Sequence, residues 1–294
     1  MDRRTRAKLA LVARHVVLSA WLIVSGFPIF WMVATSFKLP EQWYSWPPVW
    51  LPSPPTLANF GKVWAGIPML EERGRVLPTI SLEPLHGLLN SIVIAGSATL
   101  LSVAIGLLLA YGVSRYRIMP EERMFNLLII RMMPPIVIAV PLVIWYSTLN
   151  LLDTWLGMII IYTITTIPYS VWMTKSFIDE VPEEMEQAAQ LLGASRLRAF
   201  VTIVVPLIRS GVVATCLFIL ILTWSEYLLA LVMTAADAQT LPVQLSKFEG
   251  TQEGRLYGLQ SALSIGVTLP LIVIGLLIHK HLVRGFSFGM IRRQ

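Results

Sequence analysis

Charge is scarce in this 294-residue chain: 14% of its residues are Asp, Glu, Lys or Arg, against about 25% in soluble domains. Too little charge is present to coat a water-facing surface. Cysteine is scarcer still. Cys216 is the only one, so neither a disulfide framework nor a cysteine-based metal site can be drawn within the chain; inside an apolar run it reads as a small core hydrophobe. His15, His86, His279 and His281 are scattered, as suits interface or loop residues rather than metal ligands. Three catalytic signatures are also missing: there is no G-x-x-x-x-G-K-[ST] phosphate loop, no H-E-x-x-H and no G-x-S-x-G. The chain is therefore not expected to be an enzyme that hydrolyses ATP, peptides or esters.

What the chain has in abundance is hydrophobic length. It is 55% hydrophobic, with a mean hydropathy of +0.69. Uncharged runs recur at the roughly 20 residues a helix needs to cross hydrocarbon. Six candidate spans follow: residues 14–36, 88–112, 124–149, 154–176, 209–233 and 257–279. None alternates with a period of two, so the fold class is all-α, a polytopic membrane protein with six transmembrane helices. Arg3, Arg4, Arg6, Lys8 and Arg14 precede the first run, as in a signal peptide. The run from His15 to Phe37 exceeds the roughly 7 to 15 residues of an h-region and ends without a small-x-small cleavage site, so it is expected to be the first span.

A net charge of +6 would suggest nucleic acid in a soluble protein. In a membrane protein it sets orientation instead. With an even number of spans both termini share a side. That side carries sixteen of the 23 Lys and Arg, in the N-terminus, from Arg115 to Arg123, from Lys175 to Arg209 and from Lys280 onward. The other side carries six: Lys38, Lys62, Arg73, Arg75, Lys247 and Arg255. Both termini are expected in the cytoplasm of a bacterium or archaeon, with no nucleic-acid partner. The organisation expected is an N-terminus and first span (1–36), an extracytoplasmic loop (37–87), a five-helix core (88–280) holding a cytoplasmic loop at 178–206, and a cytoplasmic tail (281–294). Within the first loop, the Pro- and Trp-rich run from Trp46 to Pro55 cannot be a regular helix. Its tryptophans suit the outer membrane surface, or it is an ordinary extracytoplasmic loop.

The connection between the fourth and fifth spans carries the most information. From Asp179 to Arg198 it reads DEVPEEMEQAAQLLGASRLR, followed by Ile203-Val204-Val205-Pro206. Pro182 suits a first helical turn, and Glu183, Glu184 and Glu186 place negative charge where the helix dipole favours it. Gly193 is the residue best able to take the left-handed conformation that stops a helix. Met185, Ala189 and Leu192 make a narrow apolar stripe that needs a partner surface, protein or lipid.

The run Glu186-Gln187-Ala188-Ala189-Gln190-Leu191-Leu192-Gly193-Ala194, with Pro206 after it, resembles the EAA loop of ABC importer permeases. The family's Glu-Ala-Ala falls on Gln187-Ala188-Ala189, the acid lies one place earlier, and Leu192 stands where an Asp is common. Ser36-Phe37-Lys38, Asn90-Ser91, Ala110-Tyr111, Arg131-Met132-Met133-Pro134-Pro135, Leu152-Asp153-Thr154 and Trp224-Ser225-Glu226 are similar to the carbohydrate-uptake, maltose-type branch. The resemblance implies a type I ABC importer permease fold and a coupling helix that docks into an ATP-binding subunit. Glu183, Glu184, Glu186, Ala188, Ala189, Gly193, Ala194 and Arg196 are the implied ATPase-coupling residues. It further implies a second homologous permease subunit, two copies of a cytoplasmic ATPase that bind the ATP and Mg, and an extracytoplasmic solute-binding protein. No cofactor is expected in this chain itself.

Five residues are candidates for the solute pathway. Arg131 lies inside the third span, where a charge costs at least about 2.5 kcal/mol; it either lines the path or pairs across the interface between permease subunits, or it is a snorkelling or structurally paired arginine. Glu226 and Gln260 suit hydrogen bonds to the hydroxyls of a sugar, polyol or sugar derivative, and Tyr146 and Tyr162 suit stacking against it. For Glu226 an interhelical hydrogen bond is the alternative. An ion-coupled secondary transporter would need acids within the membrane, and only Glu226 serves. A structural membrane subunit of an enzyme complex would not need the loop helix at all.

Overall fold

The computed structural model describes residues 3–67, 83–131, 135–248 and 256–290. Those residues are helical or irregular, with no strand among them. They form two compact units, one of residues 1–84 with 245–268 and one of residues 85–244 with 269–294.

The first unit begins with α1 (Arg3–Ser36), whose stretch Leu11–Ser36 is long and apolar enough to cross a membrane and buries none of its apolar window. Chain reversal after it is held by polar ties. Asn59 donates through Nδ2 to the carbonyls of Ser36 (2.9 Å) and Lys38 (2.8 Å), and Trp43 Nε1 donates to the Lys38 carbonyl. The Lys38 ammonium sits 3.8 Å from the Trp31 ring centroid, and burial pushes its pKa down. Among the described residues two short helices, α2 (Pro40–Trp43) and α3 (Ala58–Ala65), interrupt the Pro-rich loop, and residues 46–55 are non-helical as the prolines dictate. Trp50 folds back onto Phe27 and Trp31 of α1, while Trp46 is fully in the open.

The second unit holds α4 (Pro84–Tyr116), α5 (Glu121–Arg131), α6 (Ile136–Thr148) and α7 (Trp155–Asp179). After them come α8 (Glu183–Leu191), α9 (Arg196–Ala199), a π-helical turn (Phe200–Val204), α10 (Val205–Leu207) and α11 (Arg209–Trp224). Two short helices, α12 (Leu228–Met233) and α13 (Leu241–Ser246), lead towards α14 (Tyr257–Met290). Lipid is as apolar as a leucine core, so helices in it associate through close packing and hydroxyl bonds. Gly106 of α4 lies directly against Ser170 of α7, and Gly211 of α11 against the Phe177 ring of α7. Side chains at those two glycines would collide. The Thr166 hydroxyl lies 3.0 Å from Ser102, and Thr99 and Thr223 are 3.3 Å apart. Thr166, Thr174, Thr215 and Thr223 also bond the carbonyl four residues back, which gives each buried hydroxyl an acceptor at a small cost to the helical ladder.

Four described helices are individually long and apolar enough to cross a membrane: Leu11–Ser36, α4, α7 and Tyr257–Ile278. A fifth is reached if Arg196–Leu207 and Arg209–Trp224, bent by 77° at Ile208, count as one span. Where six membrane segments were expected, four or five of membrane length are thus found, and two of the expected segments are not single helices. The third is divided into α5 and α6, of 11 and 13 residues; Pro135 stands immediately before α6 and supplies no backbone donor, and residues 132–134 lie outside the described ones. The fifth is broken at Ser225-Glu226-Tyr227, where α11 gives way to α12.

Candidate functional site

Helix α8 starts and stops as its residues require. Pro182, in extended backbone, precedes the first turn rather than lying in it. Glu183, Glu184 and Glu186 occupy that turn, where the dipole stabilises them. At the other end Gly193 has φ +90°, its N–H donates to the Gln190 carbonyl, and the Ala194 N–H reaches back to Ala189. This is the Schellman closure, which needs a residue tolerant of the left-handed region at Gly193. Ser195 then caps α9, its hydroxyl accepting the Arg198 N–H. Leu191 and Leu192 are 89% and 91% exposed at the resulting tip, and Leu197 and Met185 are exposed beside them. Ala188 is exposed too, and Ala189 and Ala194 are half-buried. The stripe expected at Met185, Ala189 and Leu192 is in part replaced by this leucine tip, because the helix ends at Leu191 and the turn throws Leu192 outward.

Glu186 faces the other way. Only 4% exposed, its carboxylate accepts a 2.7 Å bond from Arg115 Nε and a 2.6 Å bond from the Tyr111 hydroxyl. Both donors come from α4, one turn apart. Arg115 also donates to the carbonyls of Ile178 (3.2 Å), in the last turn of α7, and Val181 (2.7 Å), just beyond it. Glu183 lies 3.9 Å from the same guanidinium. The Tyr111 ring packs 4.4 Å from that of Phe200 in the π-helical turn. Around these groups lies an apolar cluster including Ala110, Val113, Ile178, Val181 and Val204. Arg196 rests over the Tyr116 ring at 5.3 Å. Of the eight residues expected to face an ATPase, Glu186 is thus turned inward, because a buried carboxylate needs its donors and they all lie on α4. Glu183, Glu184 and the Gly193 turn remain at the surface.

Tyr146 and Tyr162 belong to a buried cluster with Ile94, Met158, Leu229 and Met233. The Tyr146 hydroxyl donates to the Gly157 carbonyl, and Tyr162, 1% exposed, donates to Glu226 at 2.9 Å. Glu226 accepts as well from the N–H groups of Leu229 (3.0 Å) and Ala230 (3.2 Å). It therefore caps α12 and takes an interhelical hydrogen bond from Tyr162 of α7: the break in the fifth segment leaves amides that need an acceptor. Neither tyrosine face is open for stacking. Gln260 is half-buried and belongs to the first unit. Arg131 ends α5, and its side chain lies outside the described residues.

Two features were missed by sequence reasoning. Tyr111 and Arg115 are four apart and so share a face of α4, which was the available signal. At the opposite end of α7, Asp153 has φ +54° and accepts the N–H groups of Ala236 (2.8 Å), Asp237 (3.0 Å) and Ala238 (2.9 Å). Its desolvation is outweighed by these bonds, so its pKa is lowered. Asn90 of α4 holds the same loop through the carbonyls of Asp237 and Gln239, and Trp155 Nε1 donates to Asn90.

Membrane-length helices in glycine-mediated contact, with a short capped helix that presents exposed leucines, are the architecture of a helical membrane permease. The chain belongs to the family of binding-protein-dependent transport system inner membrane components, whose pattern matches residues 102–288. It is 31% identical to the trehalose/maltose transport system permease protein of Thermococcus litoralis, over 92% of this chain and 93% of that one. It is 29% identical to the sulfoquinovosyl glycerol transport system permease protein of Agrobacterium fabrum, over 94% and 92%. In fold it is similar to a chain of a bacterial ABC transporter that imports the acidic polysaccharide alginate, with a TM-score of 0.71, 18% identity and coverage of 95% of this chain and 98% of that chain.

Proposed function

We propose that the chain is one permease subunit of an ATP-driven, binding-protein-dependent importer for a sugar, polyol or sugar derivative, working by alternating access. It pairs with a second, homologous permease subunit, receives solute from an extracytoplasmic binding protein and rests on two ATPase copies that bind ATP and Mg. Both termini and the α8 loop face the cytoplasm. The observation that carries the reading is the leucine tip at Leu191, Leu192 and Leu197: exposed apolar side chains on a rigidly capped turn suit insertion into a protein cleft. Relatives of similar length that carry trehalose, maltose and sulfoquinovosyl glycerol support the solute class.

Co-purification tests it. Replacing Leu191 and Leu192 by Asp should leave membrane insertion unchanged, since surface substitutions usually shift stability by about 0.5 kcal/mol or less, while the ATPase no longer co-purifies and uptake stops. Uptake that persists with no ATPase attached contradicts the reading and favours an ion-coupled carrier.

A further inference from the structure

The inward face of α8 raises a separate question, because a docking helix moves only what it is fastened to. We infer that Arg115, through Glu186, is a positioning residue that fastens α8 to the ends of α4 and α7, so that all three move as one piece when the loop is displaced. This deepens the reading of α8 as an ATPase-docking helix and rests on it.

Three observations converge. A single guanidinium, attached to α4, grips α8 by the Glu186 carboxylate and α7 by the Ile178 and Val181 carbonyls. The planar fork of arginine is suited to such divided bonding, which a lysine could not reproduce in full. The second Glu186 oxygen is taken by Tyr111, whose ring leans on Phe200 and so brings in the π-helical turn that follows α9. Both ionic side chains are nearly out of solvent, at 9% and 5% exposure, so the pair is little screened. Elsewhere on α8 the described side chains face outward, Ala189 being half-buried. The grip on α4 is therefore concentrated in one buried acid and its two donors.

The test uses the assembled importer in nanodiscs, with Cys216 replaced by Ser and spin labels at Gln190→Cys on α8 and Leu108→Cys on α4. The distance between labels is compared without nucleotide and after trapping with ATP and vanadate. With Arg115 and Glu186 intact the distance should be the same in both states. With Arg115→Met, or with the isosteric Glu186→Gln in case the first variant folds poorly, trapping should shift or broaden it. Arg115→Lys, which keeps the ion pair, should restore a narrow distribution. A loss of packing alone would broaden both states equally and would not be rescued by Lys, and that result overturns the inference. So does a distance that changes on trapping in the unmodified pair, or variants indistinguishable from it. Absence of any co-purifying ATPase is a different failure, which sinks the docking reading and this inference together.

Discussion

Each end of α7 has a carboxylate that fixes a neighbouring segment and a polar tie to α4 beside it, but the two are built by opposite means. At its start, Asp153 holds residues 236–238 through their backbone N–H groups, and Asn90 and Trp155 complete a clamp. At its end, Glu186 holds α8 through two side chains of α4, one of them cationic. A carboxylate bonded to amides is local and fits one backbone geometry. An ion pair between long side chains reaches across three elements and leaves a bare charge behind when either partner is lost. The first arrangement suits a loop that holds its shape, the second a joint that carries load.

Breaking the joint should cost most. Arg115→Met strands the Glu186 carboxylate in an apolar cluster, and losing one member of a buried pair costs about 3 to 5 kcal/mol. Purified protein should unfold at lower temperature, and amide exchange should rise in α8 while residues 236–238 stay protected. Asp153→Ala reverses the pattern with a smaller effect, about 3 kcal/mol for the lost bonds to a charged acceptor. Exchange should then rise at Ala236, Asp237 and Ala238 and not in α8. Glu226→Gln is the intermediate case, a carboxylate that caps α12. Its neutral replacement keeps one acceptor oxygen for the Leu229 amide but turns a donor NH2 towards the Ala230 amide, so about 1 kcal/mol is lost and uptake stays near normal. Abolished uptake with normal protein levels would return Glu226 to the solute path.

Acid separates the two ends least, and with a defined sign. The lowered Asp153 pKa means its contribution is full above the ordinary carboxylate value near 3.8 and is lost as pH falls through the folded-state value. Exchange at 236–238 should be indifferent to pH between about 5 and 8, once corrected for intrinsic rates, and should rise only below about 4.

Much of this was legible in the residues. Glu183, Glu184 and Gly193 announce the start and stop of α8, because dipole and left-handed backbone constrain residue type locally. The apolar runs locate the membrane segments for the same reason. What escaped is what depends on partners distant in sequence. Glu186 looks identical to its exposed neighbours until Arg115, 71 positions away, is brought beside it. Glu226 reads as a polar group inside a span, and only the break at Ser225–Tyr227 reveals unpaired amides for it to cap. Pro134 and Pro135 were expected to open the third span by removing backbone donors; α6 begins directly after Pro135, and residues 132–134 lie outside the described ones.

The central claim is that the leucine tip of α8 meets a nucleotide-burning companion in the cytosol. Its most direct measurement places a single thiol at Leu192→Cys in a Cys216→Ser chain and treats sealed cells, inside-out vesicles and the purified assembly with a membrane-impermeant maleimide. The account predicts no labelling from outside the cell, rapid labelling in inside-out vesicles stripped of ATPase, and protection when the ATPase is added back. Labelling from outside, or a thiol equally reactive with and without the ATPase, would contradict it.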